Sequence, residues 1–182
     1  ASACQKACAA DSNCEGYQKM VASTSFSSEK LILQDSTGFL SSHVADLDGD
    51  GNVDVIGGYY GGGKIEWFKN NGQGMFDSTG QPITTSANDA VYAIYAADLD
   101  GDDDMDVLST SQNEYRTAGK IAWYENTDGQ GTFSDQKEIT AIQDQYPYSV
   151  YAADIDGDGD MDVLSASYND DKIAWYENTD GQ

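Results

Sequence analysis

Apolar residues along this chain fall in short runs cut by carboxylates and glycines, and the same series of runs returns. From Val150 the chain reads "VYAAD", an Asp-rich loop, "MDVLSAS", a variable loop and "KIAWYEN"; the copy from Val91 continues through "TDGQG" into "TFSDQKEIT". A divergent copy starts at His43. The first three runs of each copy carry apolar side chains on both faces, as strands do in a sheet covered on both sides. The turn "DGQG" supplies glycines for the positive φ that a tight hairpin needs. Each unit therefore predicts four short strands.

The Asp-rich loops begin 52 and then 56 residues apart, at Asp46, Asp98 and Asp154. Their tryptophans, Trp67, Trp123 and Trp175, are spaced 56 and then 52. One insertion explains both series: Asp106 to Lys120 is longer than Asp54 to Lys64 or Asp162 to Lys172. A unit of about 50 residues with four strands and aromatics on both faces fits one blade of a β-propeller. The expected fold class is all-β, with antiparallel blades at about 40–85, 90–142 and 148–182. "EKLILQDS", from Glu29, sits where a leading fourth strand would stand. The third blade lacks a fourth strand of its own.

Composition narrows the function classes. A formal charge of -23 repels nucleic acid and anionic membranes. No apolar run reaches the roughly 18 residues that would cross a bilayer. The acidity is concentrated in the three loops, where carboxylates recur at every second residue, and such a cluster repels itself unless a cation is present. One divalent cation per loop would bring the charge to about -17.

Residues 1–27 differ from the rest. They hold all three cysteines, Cys4, Cys8 and Cys14, and Cys4 and Cys8 would share one face of a short helix. An odd number implies a partner elsewhere, and without a nearby histidine a zinc site is disfavoured. "ACQKACAADSNCEGYQ" resembles the cysteine-bearing helix of apple (PAN) domains, which implies an oxidising, extracytoplasmic setting. The start lacks the basic leader and apolar stretch of a signal peptide, and the end falls inside a repeat. An internal piece of a longer protein is the expectation.

Residues 28–182, through the D-x-D-x-D-x-x-x-D loop that leads into a strand, resemble the FG-GAP (VCBS) repeats of integrin-α-like propellers. The resemblance implies a seven-bladed wheel, secreted or on the cell surface, with calcium between the first two strands of a blade. About three Ca2+ ions are then expected, one per repeat. Side-chain ligands would come from loop positions one, three, five and nine, with a main-chain carbonyl at seven. In the first loop these are Asp46, Asp48, Asp50, Asn52 and Asp54. The second loop offers Asp98, Asp100, Asp102, Asp104 and Asp106, and the third Asp154, Asp156, Asp158, Asp160 and Asp162. An EF-hand would need a Glu at position twelve, where Gly57, Ser109 and Ser165 stand. Position six is Gly51, Asp103 and Gly159; a left-handed conformation costs Asp more than Gly, so weaker binding is expected at loop two. A saturated carboxylate set with no open position for substrate points to structural calcium.

The loops at the other end of the blades hold Tyr59, Tyr60, Tyr115, Arg116, Tyr148, Tyr168 and Asn169, side chains suited to sugar rings or a protein partner. Trp67, Trp123 and Trp175 are expected in the core between blades, and His43 in an aromatic position shared with Tyr95 and Tyr151. No nucleophile has a recognisable partner motif, so the chain is not expected to be an enzyme. Two readings follow. One is a calcium-stabilised extracellular recognition module for adhesion, protein or carbohydrate binding; the other is a non-catalytic accessory propeller of a secreted hydrolase or lyase. Three blades do not close a wheel, so missing blades or a second copy are expected to complete it, two copies making six blades.

Overall fold

The structure, a computed structural model, describes residues 27–85, 89–113, 115, 117–143 and 146–181. The cysteine-bearing helix expected near the start lies outside these residues. Among the described residues there is no helix, and eleven strands form three antiparallel sheets. Blade one contains β1 (Phe39–Ala45), β2 (Asp54–Tyr59), β3 (Lys64–Phe68) and β4 (Gln81–Thr85). Blade two contains β5 (Asp89–Ala97), β6 (Asp106–Asn113), β7 (Ala118–Tyr124) and β8 (Lys137–Gln143). Blade three has β9 (Pro147–Ala153), β10 (Asp162–Ser167) and β11 (Lys172–Tyr176).

Each sheet pairs its strands in chain order, the topology of propeller blades. The third strands meet the fourth with a bulge at matching places, Ile65/Glu66 and Ile121/Ala122. Short bridges, Asn70 to Phe76 and Asn126 to Phe133, close the loop after the third strand.

"EKLILQDS" does not form a strand, contrary to expectation. A fourth strand exists by its ladder to the third strand of the same blade, and among the described residues no strand pairs with this segment. Leu31 and Ile32 stand exposed.

Burial of apolar surface holds the blades together. β5 packs on β1 and β2, and β9 on β5 and β6. Leu47, Ile56, Ile65 and Trp67 of blade one meet Val91, Ile94 and Val107 of blade two in one core. Leu99, Leu108 and Ile121 meet Val150, Ala152 and Val163 in the next. Among the described residues no blade packs on the far side of blade three, and Ile173 is 76% exposed, whereas Ile65 and Ile121 are fully buried.

Aromatic rings link the first strands. His43, Tyr95 and Tyr151 each stand three residues before an Asp loop. Their rings form a column, His43 to Tyr95 at 4.8 Å and Tyr95 to Tyr151 at 4.4 Å between centroids. A hydrogen bond with Tyr151, followed by burial, pushes the Tyr95 hydroxyl up to about 12.

Candidate metal centre

Each Asp-rich loop joins the first two strands of its blade and is shaped by its own carboxylates. The Asp at position one folds the loop back by accepting main-chain N–H groups from four or five residues ahead. Asp46 takes Asp50 N at 3.2 Å and Gly51 N at 2.8 Å. Asp98 takes Asp102 N and Asp103 N, and Asp154 takes Gly159 N. Position five caps position seven: Asp50 accepts Asn52 N, Asp102 accepts Asp104 N, and Asp158 accepts Asp160 N. Position six is left-handed in all three loops, with φ of 84° at Gly51, 71° at Asp103 and 104° at Gly159. Asp103 therefore adopts the conformation that glycine adopts without steric cost.

Position nine anchors the loop to the sheet. Asp54, Asp106 and Asp162 are fully buried. One oxygen of each accepts the N–H of the residue at position two (Leu47, Leu99, Ile155), and the other accepts the N–H of Asn70, Asn126 or Asn178. Burial pushes Asp106 up to about 7 despite these bonds, and raises Asp54 as well.

Carboxylate oxygens of Asp46, Asp48 and Asp50 lie within 4.8 Å of one another, as do those of Asp154, Asp156 and Asp158. In loop two the grouped residues are Asp98, Asp100 and Asp106. Position seven points elsewhere. The side chains of Asn52, Asp104 and Asp160 lie against Gly72, Gly129 and Gly181 of the following turns, which leaves that position its main-chain carbonyl to offer.

The donor set suits a hard divalent cation. It consists of oxygen alone, whereas zinc or copper sites use imidazole or thiolate. Asp48 Oδ1 and Asp100 Oδ1 are buried without a hydrogen-bond partner, a costly state that a cation would relieve. Burial, then the carboxylates of Asp102 and Glu125, raise Asp100, and burial with Asp158 nearby raises Asp156. Burial and, after it, like charge both disfavour the ionised carboxyls, and a nearby cation acts in the opposite direction.

Loop one contains its own cation. The Lys69 ammonium contacts Asp48 Oδ2 and lies 3.0 Å from Asp50 Oδ2. It is the leading cause of the lowered Asp50 carboxyl. Glu125 and Glu177 occupy the matching positions in the other blades, a charge reversal visible in the sequence but not singled out there.

The expected recognition residues separate. Tyr59 is a core residue, 2% exposed, and its hydroxyl donates to Glu66 Oε2 at 2.7 Å. It is not available to a ligand: β2 turns it inward, where the neighbouring Tyr60 is exposed. Tyr115 is exposed, Asn169 lies on the surface, and Arg116 falls outside the described residues. Tyr148 and Tyr168 come together edge-on at 6.1 Å between centroids, and Tyr92, not anticipated, packs against Tyr148 at 5.1 Å. Among the described residues no ring contact joins Tyr60 or Tyr115 to this group.

No curated protein matches the chain. The sequence profile of the FG-GAP-like repeat matches residues 46–109 and 111–165, two consecutive stretches, the first opening at the first Asp loop and the second within β6, that together run from the first Asp loop into β10. With well over half of its length matched, this chain belongs to the FG-GAP-like repeat family.

Proposed function

We propose that the chain is a calcium-stabilised, extracellular β-propeller module that recognises a protein or glycan and performs no catalysis. The observation that carries this reading is the repeated carboxylate cluster with buried, unpartnered oxygens at Asp48 and Asp100. Calcium takes six to eight oxygen ligands in flexible geometry, which a loop with carboxylates at alternate positions supplies. The family supports the extracellular setting, and Cys4, Cys8 and Cys14 fit it.

Recognition falls to the exposed tyrosines at the opposite ends of the strands. Tyr148 and Tyr168 present ring faces and hydroxyls beside Asn169, a surface suited to a sugar ring or to an aromatic-rich protein contact.

The test is a calorimetric calcium titration of the chelator-stripped chain, read as ions bound per chain, with thermal melts in chelator and in calcium. Binding with a raised melting temperature is expected, and absence of binding in a folded chain would end the calcium reading. A glycan array probed with the wild type and Tyr168→Ala then tests the recognition surface.

A further inference from the structure

The three loops differ in how their carboxylates are neutralised. Loop one sets Asp46, Asp48, Asp50 and Asp54 against the Lys69 ammonium, with a neutral Asn52 at position seven. Around loop two stand Asp98, Asp100, Asp102, Asp103, Asp104 and Asp106, with Glu125 beyond them. Loop three has Asp154, Asp156, Asp158, Asp160 and Asp162, with Glu177 at the matching place. Glu125 is drawn off to Lys137, 2.5 Å away, and brings no positive charge to its loop.

The contact at loop one is specific. Asp48 is about nine-tenths buried; one of its oxygens meets Lys69 and the other has no hydrogen-bond partner. An ammonium between two carboxylates does part of what a divalent cation would do, supplying positive charge where like charges crowd. It has only donors to give and fixes no coordination shell.

We infer that Lys69 is a built-in counter-ion that lets loop one keep its shape without metal, so that loops two and three take calcium first and an ion enters loop one only by displacing the ammonium. This inference rests on the calcium reading above. A lysine among the carboxylates lowers the charge that attracts the ion and must be expelled before Asp48 and Asp50 can both ligate. Affinity in such loops follows ligand charge, so loop one should bind on the order of tenfold more weakly than the other two, a larger penalty than the left-handed Asp103 imposes on loop two.

The experiment compares the full chain with Lys69→Gln and Lys69→Glu by calcium titration and by melting in chelator. The wild type should bind two ions tightly and a third on the order of tenfold more weakly. Lys69→Glu, which gives blade one the residue of its neighbours, should bring the third ion to the affinity of the others. In chelator, Lys69→Gln should melt below the wild type, because loop one has lost its counter-ion. Three equal wild-type sites, or a third affinity unmoved by Lys69→Glu, would overturn the inference while leaving the calcium reading intact. If no loop binds calcium, the calcium reading fails and the order of filling fails with it. The chelator melts still report on the ammonium in that case: equal stability of wild type and Lys69→Gln removes the counter-ion role too.

Discussion

The side-chain amide of Asn126 donates to the main-chain carbonyl of Leu47 at 2.9 Å, across 79 positions of sequence. It joins the turn after β7 in blade two to the Asp loop of blade one. Asn178 repeats the contact one blade later, donating to Leu99 O at 3.0 Å. Each asparagine also hangs its main-chain N–H on the position-nine Asp of its own blade, so a single residue ties one Asp loop to the Asp loop of the blade before it. Asn126→Ala leaves the buried Leu47 carbonyl without this donor, and should cost about 1–3 kcal/mol. Asn178, only partly buried, should cost less when replaced. Urea denaturation of both variants in calcium checks the order; an unchanged Asn126→Ala would deny the link any energetic weight.

Gly58 is a position where the repeat misleads. Blades two and three carry Thr110 and Ala166 at the matching place, so alignment of the repeats suggests that alanine is acceptable. A Cβ at Gly58 would stand 2.7 Å from Ile94 Cδ1 and 2.7 Å from Val91 Cγ1 in the first inter-blade core. Both neighbours are buried. Gly58→Ala should therefore destabilise by about 1–3 kcal/mol through overpacking. Thermal melting decides: a neutral or stabilised variant would mean that β5 yields more readily than its packing implies.

The blades were legible because their information lies in the period, and the spacing of Asp98, Trp123 and Asp154 needs no tertiary knowledge. The face of a residue at a strand end was not. "GGYYGGG" gives no alternation to separate Tyr59, which hydrogen-bonds to Glu66 in the core, from exposed Tyr60. Lys69 was hidden for another reason. Its sign differs from Glu125 and Glu177, but its reach to Asp48, 21 positions away, exists only once β3 lies beside the first loop's strands. "EKLILQDS" has the composition of a fourth strand, but among the described residues no strand pairs with it; propensity proposes a strand, and pairing decides.

His43 gives the fold a pH dependence of known sign. It is the single histidine, half-buried, with its ring 4.8 Å from that of Tyr95. Burial holds its imidazole below the ordinary value of 6.5. Below pH 6.5 the unfolded chain binds this proton more readily than the folded one, so stability falls as pH drops through that range. His43→Tyr restores the ring that blades two and three use and removes the titrating group. The difference in stability between wild type and His43→Tyr, followed by urea denaturation from pH 8 to pH 5, should shift in favour of the variant on the acid side. A difference constant with pH would show that His43 titrates alike in both states.

The three tryptophans form a controlled comparison, because one residue in one repeat position meets three environments. Trp67 is 1% exposed in the first inter-blade core, and Gly131 of blade two closes over its ring. Trp123 is partly buried against the second core. Trp175, on the uncovered edge of blade three, is 43% exposed. Trp67→Ala should cost about 3–5 kcal/mol, as large aromatic deletions in a packed core do. Trp123→Ala should fall between, and Trp175→Ala should cost least. Chemical denaturation of the three variants in this chain tests the ranking. If Trp175→Ala proves as costly as Trp67→Ala, β11 is covered in solution by a second copy of the chain, and a concentration-dependent midpoint for the wild type would show the association directly.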